Sequence, residues 1–204
     1  MARLGILGGT FNPPHVGHLV CAQEAHARLE LDTVVWMPVS APPHKEVDAD
    51  PGPDVRAELC RRAVAGDERF EVSTLEIERG GPSFTVDTLQ ELHERRPEDQ
   101  LTFIAGGDMA RSLPSWRDPE RVLALAEVAV AERQGAGRDA ILTSLRALAG
   151  ADRVRFFDMP RIDVSSSMLR GRVAEGRSIR YLVPDAVAEL IAEKGLYREP
   201  EGSA

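Results

Sequence analysis

The chain has 204 residues, which is enough for one domain with a buried core. Apolar residues make up 43% and charged residues 28%, as in an ordinary globular protein. The formal net charge of −8 argues against binding to DNA, RNA or an anionic membrane, because each requires a broad basic field. It leaves room for a locally basic pocket that takes a small phosphorylated ligand.

The predicted elements alternate between strands and helices. Short apolar or β-rich runs predict strands at 4–7, 33–39, 70–77, 101–105, 128–131 and 154–157. Helical spacing of apolar residues predicts helices at 16–30, 54–65, 85–96, 119–125, 140–148, 166–174 and 185–194. This order predicts an α/β fold: a Rossmann-like, doubly wound and mostly parallel sheet with helices on both faces.

We expect one domain over residues 1–197, with a helical C-terminal part at about 165–197. Residues 48–53 predict a loop, and 198–204 predict a flexible tail. The two cysteines, Cys21 and Cys60, have no metal-ligand spacing and favour a reducing compartment. No apolar run approaches the roughly 20 residues that cross a bilayer. We therefore expect a cytoplasmic protein that has neither membrane nor nucleic-acid partners.

The richest motif is GGTFNPPHVGH at 8–18, directly after the first predicted strand. Gly8 and Gly9 would let the backbone approach a phosphate, and the following helix would begin with unpaired amides that face the ligand. His15 and His18 share one face of the first turn and could donate hydrogen bonds to phosphate oxygens. The alternatives are histidines that only cap or pack, or a zinc site that lacks a visible third ligand.

This string resembles the HxGH signature of the nucleotidyltransferase superfamily, relatives of class I aminoacyl-tRNA synthetases. The segment VSSSMLR at 164–170 resembles the ISSTxxR motif of the same superfamily. Its serines could cap a helix and bind phosphate, and Arg170 could pair with phosphate as a fork. The two motifs at opposite ends of the chain predict an ATP site.

Further segments resemble bacterial nicotinate-mononucleotide adenylyltransferase over about 4–197. They are SAPPHK at 40–45, GPSFTVDTL at 81–89, GGD at 106–108 with Leu113 and Trp116, and the ending LVP to GLY at 182–197. The resemblance implies adenylyl transfer from ATP to nicotinate mononucleotide. The products would be nicotinate adenine dinucleotide (deamido-NAD) and pyrophosphate, in a step of NAD biosynthesis.

The resemblance also implies residue roles. Catalysis would use Thr10, His15, His18 and Arg170. ATP would contact Gly8, Gly9, Thr10, Phe11, His18, Gly106, Asp108, Arg133, Ser166 and Arg170. Nicotinate mononucleotide would contact His44, Lys45, Thr85 and Trp116. Mg²⁺ would be held mainly by the ATP phosphates, without a protein metal site.

Four of these roles are more specific. Trp116 would stack on the pyridine ring, a contact of about 0.5–2 kcal/mol, and Thr85 would hold the carboxylate. Asp108 would bind the ribose hydroxyls or help place the metal, or would simply cap a helix. Arg133 would lie near the triphosphate, although Gln134 replaces a common proline after it. Asn12 and Ser167 stand where the family often has Asp and Thr.

The sequence leaves the acceptor partly open. Nicotinamide mononucleotide could replace nicotinate mononucleotide, since the resemblance favours the acid but no single residue selects it over the amide. Phosphopantetheine is disfavoured, because the enzymes that use it are shorter and lack the PPHK and GPSxTxDTL segments. From another class, a nucleotide-binding module without catalysis is disfavoured because His18 and Arg170 are both present. A homo-oligomer is compatible with the sequence, which does not determine the number of subunits.

Overall fold

Six parallel strands form one sheet in a computed structural model that describes residues 1–42, 48–132 and 137–198. The strands are β1 (Arg3–Gly9), β2 (Thr33–Pro38), β3 (Phe70–Val72), β4 (Gln100–Gly106), β5 (Glu127–Glu132) and β6 (Val154–Asp158). Their order is β3-β2-β1-β4-β5-β6, and every neighbouring pair is parallel. This order reverses at β1, so the ligand crevice is expected at the C-terminal ends of β1 and β4.

Helices cover both faces of the sheet. They are α1 (Val16–Arg28), α2 (Pro53–Val64), α3 (Leu75–Arg79), α4 (Thr85–Arg95), α5 (Gly107–Ser112), α6 (Pro119–Leu125), α7 (Arg138–Leu145), α8 (Ser166–Ala174) and α9 (Asp185–Glu193). The helices α1 and α2 pack on one face, and α4 to α7 pack on the other. The predicted doubly wound α/β fold is therefore confirmed. Among the described residues, none of these helices combines the length and apolar composition that a membrane crossing needs.

The side chains of the strands alternate between the two faces, as extended backbone requires. In β2, Val35 and Met37 lie in the core under α4, while Val34 and Trp36 lie in the core under α1. A third apolar cluster joins the C-terminal helices to α2. Its buried members are Leu59, Leu169, Ile179, Val183, Val187, Leu190 and Ile191. This cluster holds α8 and α9 against α2, and Ser166 of α8 donates to Pro13 O in the loop after β1.

Two elements differ from the sequence prediction. The predicted strand at 70–77 ends at Val72, and Leu75–Arg79 is the short helix α3, in which Glu78 N donates to Thr74 O at 2.8 Å. Helix α5 was not predicted, and it follows β4 without a loop, beginning at the second glycine of the pair at 106–107. The predicted tail at 198–204 lies outside the described residues apart from Arg198.

Candidate active site

The first turn of α1 is closed by the two histidines. Each of its four amides has an acceptor: Leu182 O for Val16 at 3.1 Å, His15 Nδ1 for Gly17 at 3.1 Å, and His15 O for His18 at 2.9 Å and Leu19 at 3.3 Å. The expectation of unpaired amides that face a ligand is therefore wrong. A histidine at the cap position supplies the acceptor that the helix would otherwise lack.

The same contacts define how the imidazoles can act. The amide of His15 donates to Nδ1 of His18 at 3.2 Å, and Nδ1 of His15 accepts from Gly17. A neutral ring that accepts at Nδ1 carries its hydrogen on Nε2, so both rings present Nε2–H as the donor. Burial of the ring, and secondly the neighbouring His15, lower the pKa of His18 to about 3. His18 is therefore a neutral donor at pH 7.

Loop 10–15 connects β1 to α1, and one of its side chains is part of the core. Phe11 has a φ of 50° and is 2% exposed, and its ring stacks on Trp36 with centroids 5.0 Å apart. The edge of His18 lies against the same ring, also at 5.0 Å. The Phe11 side chain is thus part of the core, and a contact of this residue with ATP would have to use its backbone. Thr10 directly follows β1 and is partly buried.

The two end motifs meet at this loop. Ser165 caps α8 by accepting from Met168 N at 3.2 Å. Ser166 Oγ donates to Pro13 O at 2.8 Å, and Arg170 Nη1 donates to Asn12 O at 2.9 Å. A guanidinium has five N–H donors, so the bond to Asn12 uses only part of its capacity. Arg170 can therefore brace the loop and still present donors to a phosphate.

Asn12 explains one departure from the family pattern. It is 1% exposed, and its Nδ2 donates to Asp48 O at 3.3 Å and Ala49 O at 3.5 Å. Its Oδ1 accepts from the Tyr197 hydroxyl at 2.6 Å. An aspartate could accept from the tyrosine but could not donate to the two carbonyls. The amide therefore attaches segment 48–49 to the loop.

A second group of elements forms the predicted acceptor side. Ser83 Oγ accepts from Ser40 N at 2.9 Å, and Ser83 N donates to Ala41 O at 2.9 Å, which joins the residues after β2 to the start of α4. Thr85 is the first residue of α4. Trp116 packs edge-on against Phe103, with centroids 5.7 Å apart.

The remaining predicted site residues have separate positions. Gly106 is the cap residue of α5, so Asp108 lies inside that helix and the helix-cap alternative for it is wrong. The Asp108 side chain is 96% exposed and pairs with Arg111. His44, Lys45 and Arg133 lie outside the described residues. In the ranges that the structure describes, no group of three or more His, Cys, Asp or Glu side chains could hold a metal ion.

Sequence reasoning missed two buried charged residues near these segments. Arg56 in α2 is 0% exposed, and Glu76 in α3 is 6% exposed. Glu76 Oε1 accepts from the Thr88 hydroxyl at 2.6 Å, and burial raises the pKa of its carboxyl. Arg56 lies in the 12-residue helix α2, and Glu76 lies in a stretch that was predicted as a strand; both have charged neighbours in the sequence. Charged residues in such company are typical of a solvated surface, so the sequence carried no signal of their burial.

Comparisons with known proteins identify relatives of this chain. The cytidylyltransferase-like family matches residues 6–172. A probable nicotinate-nucleotide adenylyltransferase from Halalkalibacterium halodurans is 41% identical over 202 residues, which cover 98% of this chain and 94% of the relative. One from Desulfitobacterium hafniense strain Y51 is 43% identical over 198 residues and covers 96% of each chain.

The solved structures point to the same fold. Nicotinic acid mononucleotide adenylyltransferase from Plasmodium falciparum, complexed with NaAD, aligns with a TM-score of 0.77 over 97% of this chain and 98% of that chain. At 16% sequence identity this likeness is one of fold. Together with the two relatives, whose identity extends over nearly the whole chain, it leads to one conclusion. The chain belongs to the cytidylyltransferase-like family and, within it, to the nicotinate-nucleotide adenylyltransferases.

Proposed function

We propose that the protein transfers the adenylyl group of ATP to nicotinate mononucleotide, in a step of NAD biosynthesis. The observation that carries the proposal is the contact of the two end motifs, in which Ser166 and Arg170 bond to the backbone of loop 10–15. The contact supports the proposal because it brings serine and arginine side chains to the loop that leads to the two histidines, where together they would bind an anion. The named activity of relatives that share 41% and 43% of their residues with this chain supports the choice of acceptor.

The transfer needs alignment and charge neutralisation more than proton transfer. A phosphate monoester has a second pKa of about 6, so the acceptor phosphate is already ionised at neutral pH. One of its oxygens bonds to the α-phosphorus of ATP, and the bond from that phosphorus to the bridging oxygen of pyrophosphate breaks. The products are nicotinate adenine dinucleotide and pyrophosphate, and no general base is required.

In this proposal His18 and Arg170 stabilise the negative charge that develops on the phosphate oxygens. Nε2–H of the neutral His18 donates to a phosphate oxygen, and His15 and Thr10 support the same loop. The bond to Asn12 O already holds the Arg170 guanidinium in place, so this cation would not need to reorganise during the reaction. Gly8 and Gly9, at the end of β1, would allow close approach of the phosphates.

We propose that Mg²⁺ enters with ATP. Magnesium in nucleotide sites is usually bound through few carboxylates and several phosphate oxygens, which fits a site whose described residues form no acidic cluster. When bound, the ion would neutralise charge on the phosphate oxygens. Asp108, exposed at the start of α5, is the carboxylate that the GGD motif offers to the ribose or to the ion.

The acceptor would bind beside the start of α4. Thr85 and the first amides of this 11-residue helix would take the nicotinate carboxylate, because the N-terminus of a helix favours an anion. Trp116 would stack on the pyridine ring. We also propose a cytoplasmic location, since a chain with only two cysteines, which lack metal-ligand spacing, favours a reducing compartment.

One assay tests the reaction and the acceptor together. The purified protein is incubated with ATP and Mg²⁺ and is offered nicotinate mononucleotide, nicotinamide mononucleotide or phosphopantetheine, and pyrophosphate release is followed. We expect release that is strongest with the nicotinate compound. Release with another acceptor alone would contradict the acceptor assignment. No release from folded protein that binds ATP would indicate a nucleotide-binding module without catalysis.

A further inference from the structure

Arg56 is a fully buried cation whose three nitrogens all have hydrogen-bond partners. Its Nε donates to Asp50 Oδ1 at 2.9 Å, and its Nη2 donates to Ser40 O at 2.9 Å. Its Nη1 donates to Val39 O at 2.7 Å and to Thr10 O at 3.1 Å. Since a buried charge without partners is strongly unfavourable, these four bonds account for how the guanidinium is tolerated in the interior.

The partners belong to three separate parts of the backbone. Thr10 begins the loop that leads to the two histidines, and it lies on the ATP side of the proposed site. Val39 and Ser40 follow β2 and lead into the acceptor side, where Ser40 N donates to Ser83 Oγ. Asp50 lies on the segment that Asn12 binds through the carbonyls of residues 48 and 49. The guanidinium of Arg56 therefore links the ATP side, the acceptor side and segment 48–50.

We propose that Arg56 is a positioning residue, which sets the distance between the ATP-binding loop and the acceptor segment so that the two phosphates are aligned. The side chain is 0% exposed and cannot touch either substrate, so it acts through the carbonyls that it holds. This inference rests on the proposed function. Transfer between two bound phosphates is sensitive to such alignment, because a misplacement of about 1 Å can lower the rate about a hundredfold.

The guanidinium of an arginine can hold these separate parts of the chain at once, and the ammonium of a lysine cannot. Three carbonyls and one carboxylate are reached from three nitrogens of a single rigid plane. A lysine ammonium would keep the charge, but it is a single point on a flexible stem and could not hold both sides at once. Asp50 is the ionic partner, and it also accepts from Gly52 N at 3.0 Å, which orients its carboxylate.

The test compares the variants Arg56→Lys and Asp50→Ala with Arg62→Lys as the matched control. Arg62 lies on the same helix and pairs with Glu58 at 3.1 Å, with 39% of its side chain exposed. We expect Arg56→Lys to lower kcat by about 10- to 100-fold and Asp50→Ala by about 3- to 10-fold. The ATP dissociation constant, measured by calorimetry, should change less than threefold. Arg62→Lys should keep kcat within twofold of the wild type.

Stability is measured in parallel, because a buried arginine also supports the fold. The loss in kcat per folded molecule should be the same at every temperature well below the unfolding midpoint. If a folded Arg56→Lys variant turns over within threefold of the wild type, or if its loss disappears after correction for the folded fraction, the positioning role is overturned. If the wild type itself releases no pyrophosphate with any acceptor, the proposed function fails, and this inference fails with it.

Discussion

His18 stays neutral although the proposed mechanism places it beside anionic phosphates. Its Nδ1 accepts from the His15 amide, its ring lies 3.8 Å from the ring of His15, and burial and His15 lower its pKa to about 3. A charged His18 would attract phosphate more strongly in the ground state. A neutral donor instead keeps the capping contact and offers a directed hydrogen bond to the charge that grows during transfer.

The lowered pKa of His18 predicts a pH dependence of stability. Between about pH 3 and the ordinary value of 6.5, the unfolded chain binds a proton at this residue and the folded chain does not. The free energy of unfolding should therefore fall as the pH falls through this window, by at most about 1.4 kcal/mol per pH unit from this residue. Urea unfolding from pH 4.5 to 7.5 measures the slope. The variant His18→Gln should show a shallower slope, and equal slopes would contradict the prediction.

The same residue carries a prediction about turnover. We expect His18→Ala to lower kcat by about 10²- to 10³-fold, as loss of one preorganised donor does, while ATP binding weakens far less. Steady-state kinetics and direct binding of ATP separate the two effects. His26→Ala, in the last turn of the same helix, is the control and should keep its activity. Unchanged turnover in His18→Ala would remove His18 from the mechanism.

At the scale of elements, loop 10–15 has little regular structure of its own and is held by its neighbours. Three parts of the chain bond directly to this loop: segment 48–50, helix α8 and the end of the chain. The residues after β2 bond to Arg56, which in turn donates to Thr10 O. Helix α9 packs through Val187, Leu190 and Ile191 into the cluster that includes Leu59 of α2. Contacts from elements that are distant in sequence thus determine the position of the loop.

The contact between Tyr197 and Asn12 spans the largest sequence separation of these connections, 185 residues. The tyrosine hydroxyl donates to a carboxamide that is 1% exposed, and burial raises the pKa of the tyrosine. Tyr197→Phe should lower the free energy of unfolding by about 1–3 kcal/mol, because it leaves a buried acceptor without a donor. Thermal and urea unfolding measure the change. Tyr181→Phe, at a side chain that is 76% exposed, should be neutral, and equal effects would contradict this reading.

At the scale of the molecule, the alternation of strands and helices predicted the sheet, because periodic burial is visible in local sequence. The strand ends also indicated where the site would form, since the C-terminal ends of parallel strands meet at one edge. The short helix at 75–79 was missed, because a stretch of five residues such as LEIER fits a strand pattern equally well. A single domain over residues 1–197 stays a prediction, which the cluster shared by α2, α8 and α9 supports.

The details of the site depended on contacts that local patterns do not encode. The histidine caps use nitrogens that a helix wheel does not show, and Arg56 is buried on a helix with charged neighbours. The bonds from Ser166 and Arg170 join residues 153 and 158 positions apart. Resemblance to a family supplied the pairing of the two motifs, and physical reasoning from the sequence alone supplied only the chemistry of each.

The bond between Asn12 and Tyr197 also determines when the loop can be completed during synthesis of the chain. A ribosome makes Asn12 of loop 10–15 early and reaches Tyr197 only 185 residues later. At about 5–20 residues per second, the loop waits about 10 to 40 seconds for the partners that hold it. A nascent chain therefore carries this loop without its later partners, and a prematurely terminated chain would lack the residues that brace it.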